Sequence, residues 1–276
     1  MIQLNEKDYE IALSPLLELP INTLFARAVL RGIMPGQVYV DDVNNPFAFL
    51  IAHGYGMSLL FGDASKVPAE WLEDYMLNKA GVRDKNEWLQ VYPDGWNDEV
   101  EKALGPDLVK KGTAVQPADT ASKVMEFVRA NFAFDREKFE ATFGVFNPEE
   151  HTVIRTTKEI YQGLSGGVSP EYFWKDADHF LTEGAGFTVL ADGEAASTAF
   201  SAFVMDGQLE IGIQTEEKFR GRGYALHACA ALIQYCLERG LEPVWACRHE
   251  NTASYNLAHK LGFTPSRLIP YYCLPV

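Results

Sequence analysis

The spacing of apolar positions changes along the chain, and each change marks an element. From Tyr224 to Arg239, apolar residues fall at Ala225, Leu226, Cys229, Ala230, Leu232, Ile233, Cys236 and Leu237. They recur at three and four residues, as on one buried helix face, and Gly240 follows as a stop. At ~1.5 Å per residue that helix is about 24 Å long. Upstream, Phe187 to Ala191, Ala199 to Val204 and Leu209 to Thr215 are short apolar runs separated by Asp192-Gly193 and Asp206-Gly207. Asp-Gly between apolar runs favours tight hairpins, because both central residues tolerate positive φ, so an antiparallel meander is predicted. A strand at His151 to Thr156 and helices at Lys158 to Leu164 and Pro170 to Leu181 precede it, around a Ser165-Gly166-Gly167 loop. After the long helix come a strand at Pro243 to Cys247, a further helix and a short end strand.

The first half is less regular. Helices are expected at Ile21 to Arg31, Pro68 to Lys79 and Asn97 to Leu104, and strands at Val38 to Val40, Phe47 to Ala52, Met57 to Phe61 and Trp88 to Tyr92. Glycine and proline punctuate these segments. Ser122 to Phe139 fits two readings: Val124, Phe127 and Val128 suit a helix, while Phe132 and Phe134 alternate as in a strand. Gly112 to Ala118 reads as a connecting loop, and Gly144 to Glu150, with Asn147-Pro148, as a boundary. Two domains are expected, residues 1–146 as an α+β lobe and 147–276 as a second domain of mixed α/β type. No internal repeat stands out.

Composition narrows the function classes. The chain has 276 residues, 47% of them hydrophobic, enough for a sizeable core. The 24 basic residues against 38 acidic ones give a net charge of -14. That disfavours nucleic acid and anionic membrane surfaces as partners and suits a cationic one. Cys229, Cys236, Cys247 and Cys273 show no Cys-x-x-Cys spacing, so no metal site is expected, and the thiols point to a reduced, cytoplasmic protein. Met1 to Glu10 is polar and unlike a signal peptide, and no apolar run approaches the ~20 residues of a membrane span.

One segment carries chemistry. Ile211 to Ala225 reads IGIQTEEKFRGRGYA, a strand running through Arg220-Gly221-Arg222-Gly223 into the start of the long helix. The first N–H groups of a helix lack internal partners and carry partial positive charge, and glycines let a phosphate approach the backbone. Two arginines add fixed charge. The segment lacks both the G-x-x-x-x-G-K-[ST] and the G-x-G-x-x-G nucleotide patterns. An incidental surface turn is the bland alternative.

Arg220-x-x-Gly223-x-Ala225 resembles the R/Q-x-x-G-x-G/A pyrophosphate loop of the GNAT superfamily of N-acetyltransferases. Asn251-x-x-Ser254-x-x-Leu257, ending at Leu261-Gly262-Phe263, resembles that family's next helix. The resemblance covers roughly Phe187 to Leu274 and implies acetyl-CoA as acyl donor. It implies that Ile213, Gln214 and Thr215 bond the pantetheine arm through their backbone. Gly221, Arg222, Gly223, Tyr224 and Ala225, with Arg220, would hold the pyrophosphate, and Asn251 and Ser254 would touch the pantetheine or phosphate region. It also allows the first lobe to be a degenerate GNAT-like unit without the pyrophosphate loop.

The match has one departure. The tyrosine that often protonates the departing thiolate would follow Leu257, where this chain has Ala258. Tyr255, three residues earlier, lies about 60° away around the helix and is the substitute candidate. Glu210, on the strand before the loop, is the candidate general base; His227 and His249 are weaker ones. The expected activity is acetyl transfer to a primary amine of a small, cationic acceptor, shaped in part by Leu164 to Ser169. A non-catalytic acyl-CoA sensor is the alternative, and a homodimer stays open.

Overall fold

The computed structural model describes residues 1–113, 122–143, 152–164 and 167–276. The expected boundary at 146/147, the start of the strand at His151 and the Ser165-Gly166 pair lie outside the described residues. In chain order the elements are β1 (Ile2–Gln3), α1 (Leu13–Leu17), α2 (Leu24–Leu30), β2 (Gly36–Val40), β3 (Ala48–His53), β4 (Met57–Gly62), α3 (Ala69–Met76), β5 (Glu87–Tyr92), α4 (Trp96–Leu104), β6 (Leu108–Val109), β7 (Val124–Phe134) and α5 (Arg136–Phe143). Then follow β8 (Thr152–Arg155), α6 (Lys158–Gly163), α7 (Ala177–Glu183), β9 (Gly186–Ala191), β10 (Glu194–Met205), β11 (Gln208–Thr215), α8 (Tyr224–Glu238), β12 (Glu242–Val244), β13 (Ala246–Arg248), α9 (Thr252–Lys260) and β14 (Phe263–Leu274).

The chain divides into two compact units. The N-terminal unit takes Met1–Asn131, Cys247–Glu250 and Arg267–Val276; the C-terminal unit takes Phe132–Ala246 and Asn251–Ser266.

In the N-terminal unit, β2, β3 and β4 form an antiparallel meander, and β5 pairs parallel with β4. The strand order of that sheet is β1-β2-β3-β4-β5-β14-β7-β13, with β6 on β7. Leu50, Leu60, Leu72, Leu89, Val91, Trp96 and Val100 belong to one buried cluster that joins α3 and α4 to the sheet. The stretch Ser122 to Phe139 resolves into a long strand, β7, followed by α5. The expected short end strand is a 12-residue strand whose Tyr271–Leu274 pair antiparallel with β5.

In the C-terminal unit the sheet order is β12-β11-β10-β9-β8, antiparallel except for the parallel β11–β12 pair. The two Asp-Gly hairpins form as expected, with Asp192 and Asp206 at φ 54° and 52° and Gly193 and Gly207 at 81° and 73°. Two predicted elements differ. The helix expected over Pro170 to Leu181 is a 3-10 turn at Pro170–Tyr172 and then α7. Asp176 starts a new helix by accepting the His179 N–H, and burial of Phe173 and Trp174 holds the break. The strand expected over Pro243 to Cys247 is cut at Trp245: Glu242–Val244 belong to this sheet, and β13 lies in the other one.

The two units share one order of elements: strand, two helices, three-stranded meander, helix, parallel strand, helix. It runs β1, α1, α2, β2-β3-β4, α3, β5, α4 in one and β8, α6, α7, β9-β10-β11, α8, β12, α9 in the other.

Candidate active site

The site is built around the end of β11. Successive side chains of a strand point to opposite faces, so Glu210, Gly212 and Gln214 share one face and Ile211, Ile213 and Thr215 the other. The α8 side is marked by Phe187, whose ring lies 5.8 Å from that of Tyr235. The opposite face is marked by Gly186, where a Cβ would fall 2.9 Å from Phe180 Cζ on α7. Gly186 is opposite Phe200, and Phe200 is opposite Gly212, so Glu210 and Gln214 lie on the α7 side of the sheet.

Glu210 is half-buried and its Oε2 is buried. It pairs across the strands with Phe203, because a bulge between Ser201 and Phe203 shifts the register by one residue. Phe203 packs edge-on against Phe173 at 5.3 Å. The carboxylate therefore stands beside Phe203 of β10, which in turn packs on Phe173 from the broken helix. Gln214 is opposite Thr198, and Thr198, Thr188 and Thr156 form a buried row of hydroxyls with contacts of 2.9 and 3.0 Å. This row was not found from the sequence, because the strands concerned are joined only by register.

Parallel pairing of β12 with β11 covers three residues, from Gln208↔Glu242 to Glu210↔Val244. β11 continues to Thr215, so its edge over Ile211–Thr215 extends past the end of β12. Along this stretch β10 pairs with β11 on the other edge. Ser197 Oγ donates to the Gln214 carbonyl at 3.2 Å and Arg220 Nε to the Thr215 carbonyl at 3.3 Å. Arg220 thus ties the loop back to the strand end.

A 3-10 turn at Glu217–Phe219 leads into Arg220–Gly223, which is exposed. Gly221 and Gly223 adopt φ +76° and +84°, and a Cβ on either would meet nothing within 4 Å. Only glycine takes this conformation without strain, and the space beside the backbone is open to a ligand. Gly223 is the N-cap of α8, with no side-chain cap and no acidic residue in the first turn. The helix presents its first N–H groups and partial positive charge beside two arginines. Arg222 lies over the Phe219 ring at 5.6 Å, and the Tyr224 ring is 6.1 Å from that of Phe219. Tyr224 and Ala225 are half-buried in the first turn. Uncapped N–H groups, guanidinium charge and open space fit the pyrophosphate of a CoA.

Asn251 is the N-cap of α9: its Oδ1 accepts the Ser254 N–H at 3.2 Å. Both residues therefore have a role in starting the helix. Tyr255 is half-buried, its ring 5.3 Å from Phe132 and 5.0 Å from His259. Ala258 is completely buried. Of the weaker base candidates, His227 is half-buried on α8, and His249 belongs to the N-terminal unit, its N–H donating to the Val128 carbonyl. Cys229 and Cys236 are buried on the apolar face of α8, and burial pushes both thiols up, that of Cys236 to about 12. Among the described residues no group of His, Cys, Asp and Glu could hold a metal ion, and no helix is long and apolar enough to cross a membrane.

Comparison with known proteins agrees with this geometry. The chain is 27% identical over 260 residues to the Bacillus subtilis (strain 168) protein described as uncharacterized N-acetyltransferase YdfB, covering 90% of this chain and 89% of that one. Its fold is similar to that of a GCN5-related N-acetyltransferase-like protein from Streptococcus suis 89/1591, with a TM-score of 0.68, 23% identity, and coverage of 98% and 100% of the two chains. It is also similar to a tandem GNAT protein from the clavulanic acid biosynthesis pathway, with a TM-score of 0.60, 12% identity, and coverage of 99% and 97%. The family model described as GNAT acetyltransferase matches residues 14–272. A match of that extent, over a glycine loop at the head of α8 and a parallel strand pair that parts beside it, identifies the chain as an N-acetyltransferase of the GNAT acetyltransferase family.

Proposed function

We propose that the C-terminal unit transfers acetyl from acetyl-CoA to the primary amine of a small cationic acceptor. The observation that carries this reading is the end of β12 at Val244 while β11 runs on to Thr215 and into the glycine loop. The pantetheine arm lies along the edge of Ile213–Thr215, where backbone groups can pair with it as a further strand would. The pyrophosphate sits on the N–H groups of Gly221–Ala225, with Arg220 and Arg222 around it. Asn251 and Ser254, at the head of α9, approach the same arm.

The acceptor arrives as an ammonium and must lose a proton before it attacks. Glu210 takes that proton. The free amine then adds to the thioester carbonyl, the oxyanion collapses, the C–S bond breaks, and the proton that the acylated nitrogen gives up passes through Tyr255 or water to the departing thiolate. Holding both reactants together supplies much of the acceleration. The net charge of -14 and the aromatic surface of Phe173 and Phe203 beside Glu210 favour a cationic acceptor with apolar surface. The free cysteines, two of them deep in α8, suit a cytoplasmic setting.

The test is a panel of amines incubated with acetyl-CoA and the full chain, with products detected by mass. An acetylated amine together with free CoA supports the reading. Thermal stabilisation by acetyl-CoA without product from any amine would favour a sensor, and a protein that responds to NAD but not to acetyl-CoA would overturn the cofactor.

A further inference from the structure

We propose that each chain binds one acyl-CoA, in the C-terminal unit, and that the N-terminal unit repeats the same fold with its cofactor slot closed. The inference rests on the acyl-CoA reading of the C-terminal unit and extends it to the other.

The two units can be compared element by element. β4 corresponds to β11, α3 to α8 and β5 to β12, and each unit has a three-residue 3-10 turn between the last meander strand and the helix, Ala64–Lys66 in one and Glu217–Phe219 in the other. The difference lies in the strand pair. β5 pairs with β4 at five successive positions, from Met57↔Trp88 to Phe61↔Tyr92. β12 pairs with β11 at three. A backbone edge already bonded to a neighbouring strand has no donors and acceptors left for a pantetheine arm, since each residue brings one of each. Ser58 Oγ and Tyr75 OH also donate to the buried Glu87 carboxylate at 2.5 and 2.6 Å, joining β4 and α3 to the first residue of β5. That network fixes the register of the pair from its start, and the pairing continues through Leu60↔Val91 and Phe61↔Tyr92, the end at which β11 and β12 part.

The loop is closed as well. Between the 3-10 turn and the helix, where the C-terminal unit has Arg220-Gly221-Arg222-Gly223, the N-terminal unit has only Val67-Pro68, with neither glycine nor arginine. The turn before it is satisfied internally: Asp63 accepts the Ser65 N–H at 3.0 Å and the Ser65 hydroxyl at 2.7 Å, and the Lys66 and Val67 N–H groups bond to the Asp63 and Ala64 carbonyls. The Ser65 bonds hold the Asp63 carboxyl below its usual range, and it stays ionised at neutral pH. The N-cap of α3 is Pro68, and Glu70 lies in the first turn. Glu70 in the first turn of α3 opposes a pyrophosphate, whereas the first turn of α8 has no acidic residue and follows two arginines.

The experiment counts CoA on the full chain. Native mass spectrometry with a saturating excess of CoA is expected to show one CoA per chain. Hydrogen exchange on the same sample is expected to slow in peptides spanning Ile211–Ala225 and to stay unchanged in those spanning Met57–Glu70. Gly223→Val, folded by circular dichroism, is expected to need at least tenfold more CoA than the wild type for the same occupancy. Two CoA per chain, or protection over Met57–Glu70, overturns the inference. Absence of any CoA adduct and any protection in the wild-type chain would instead remove the acyl-CoA reading on which it stands.

Discussion

Phe200 fills the place of the side chain that Gly212 lacks. The two residues are opposite each other on β10 and β11, and a Cβ on Gly212 would come within 2.5 Å of Phe200 Cζ. Phe200 is completely buried, with the Phe173 ring 6.2 Å away, and has no room to retreat. Gly212→Ala is therefore expected to destabilise the chain by about 1–3 kcal/mol, as overpacking does. Because Glu210 and Gln214 flank Gly212 on the same face, turnover should fall as well. Urea unfolding and an acetyl-transfer assay on the same variant check both effects.

Gly223→Val is expected to weaken acetyl-CoA binding at least tenfold, about 1.4 kcal/mol, by filling the open space beside the loop and straining a backbone at positive φ. Gly240→Ala is the control. It also sits at positive φ, +65°, but after the C-terminal end of α8, and should cost only about 1–2 kcal/mol of stability with affinity unchanged. Calorimetric titration of both folded variants separates the two; equal affinities would place the pyrophosphate elsewhere.

Asn251→Ala removes the cap of α9 and should cost about 0.5–2 kcal/mol, whereas Asn251→Asp keeps an acceptor for the Ser254 N–H and should cost little. If Asn251 also touches the cofactor, both variants should raise the acetyl-CoA dissociation constant, since both lose the side-chain amide. Chemical denaturation read beside affinity distinguishes capping from contact.

Glu210→Gln should lower kcat with little change in acetyl-CoA affinity, and the defect should shrink as pH rises, because more acceptor then arrives as free amine. Tyr255→Phe should do less, since the thiolate can leave without an acid. The check is a pH–rate profile from pH 6 to 9. Wild-type turnover in Glu210→Gln across that range would mean that another group or a water removes the proton.

His53, buried in the N-terminal unit, has its pKa lowered by burial and by the nearby Lys85, from 6.5 to about 4. The unfolded chain binds the proton more readily, so the folded state loses stability as pH falls from about 6.5 towards 4. The loss is on the order of 3 kcal/mol when complete. Unfolding free energies at pH 7 and pH 4.5 should differ less in His53→Gln than in the wild type. An unchanged difference would assign the acid sensitivity to other groups.

Much of this protein is legible in its sequence, because much of it is local. The three-and-four spacing from Ala225 to Leu237 determines α8, the Asp-Gly pairs determine two hairpins, and Arg220 to Gly223 show where a phosphate can approach a helix end. Each depends on neighbours within a few residues, where period and φ preference decide. Pairing between distant segments does not. Whether β12 follows β11 for three residues or five, whether β10 bulges at Ser201, and whether Arg267–Leu274 join the N-terminal unit are settled by competition for backbone partners over long separations. The same competition gives Gly212 its place against Phe200. No repeat is visible in the residues, yet the element order occurs twice, since a fold of this kind needs only apolar faces in the right order. Opening a slot in it needs one strand pair to stop early, and only the tertiary structure decides that.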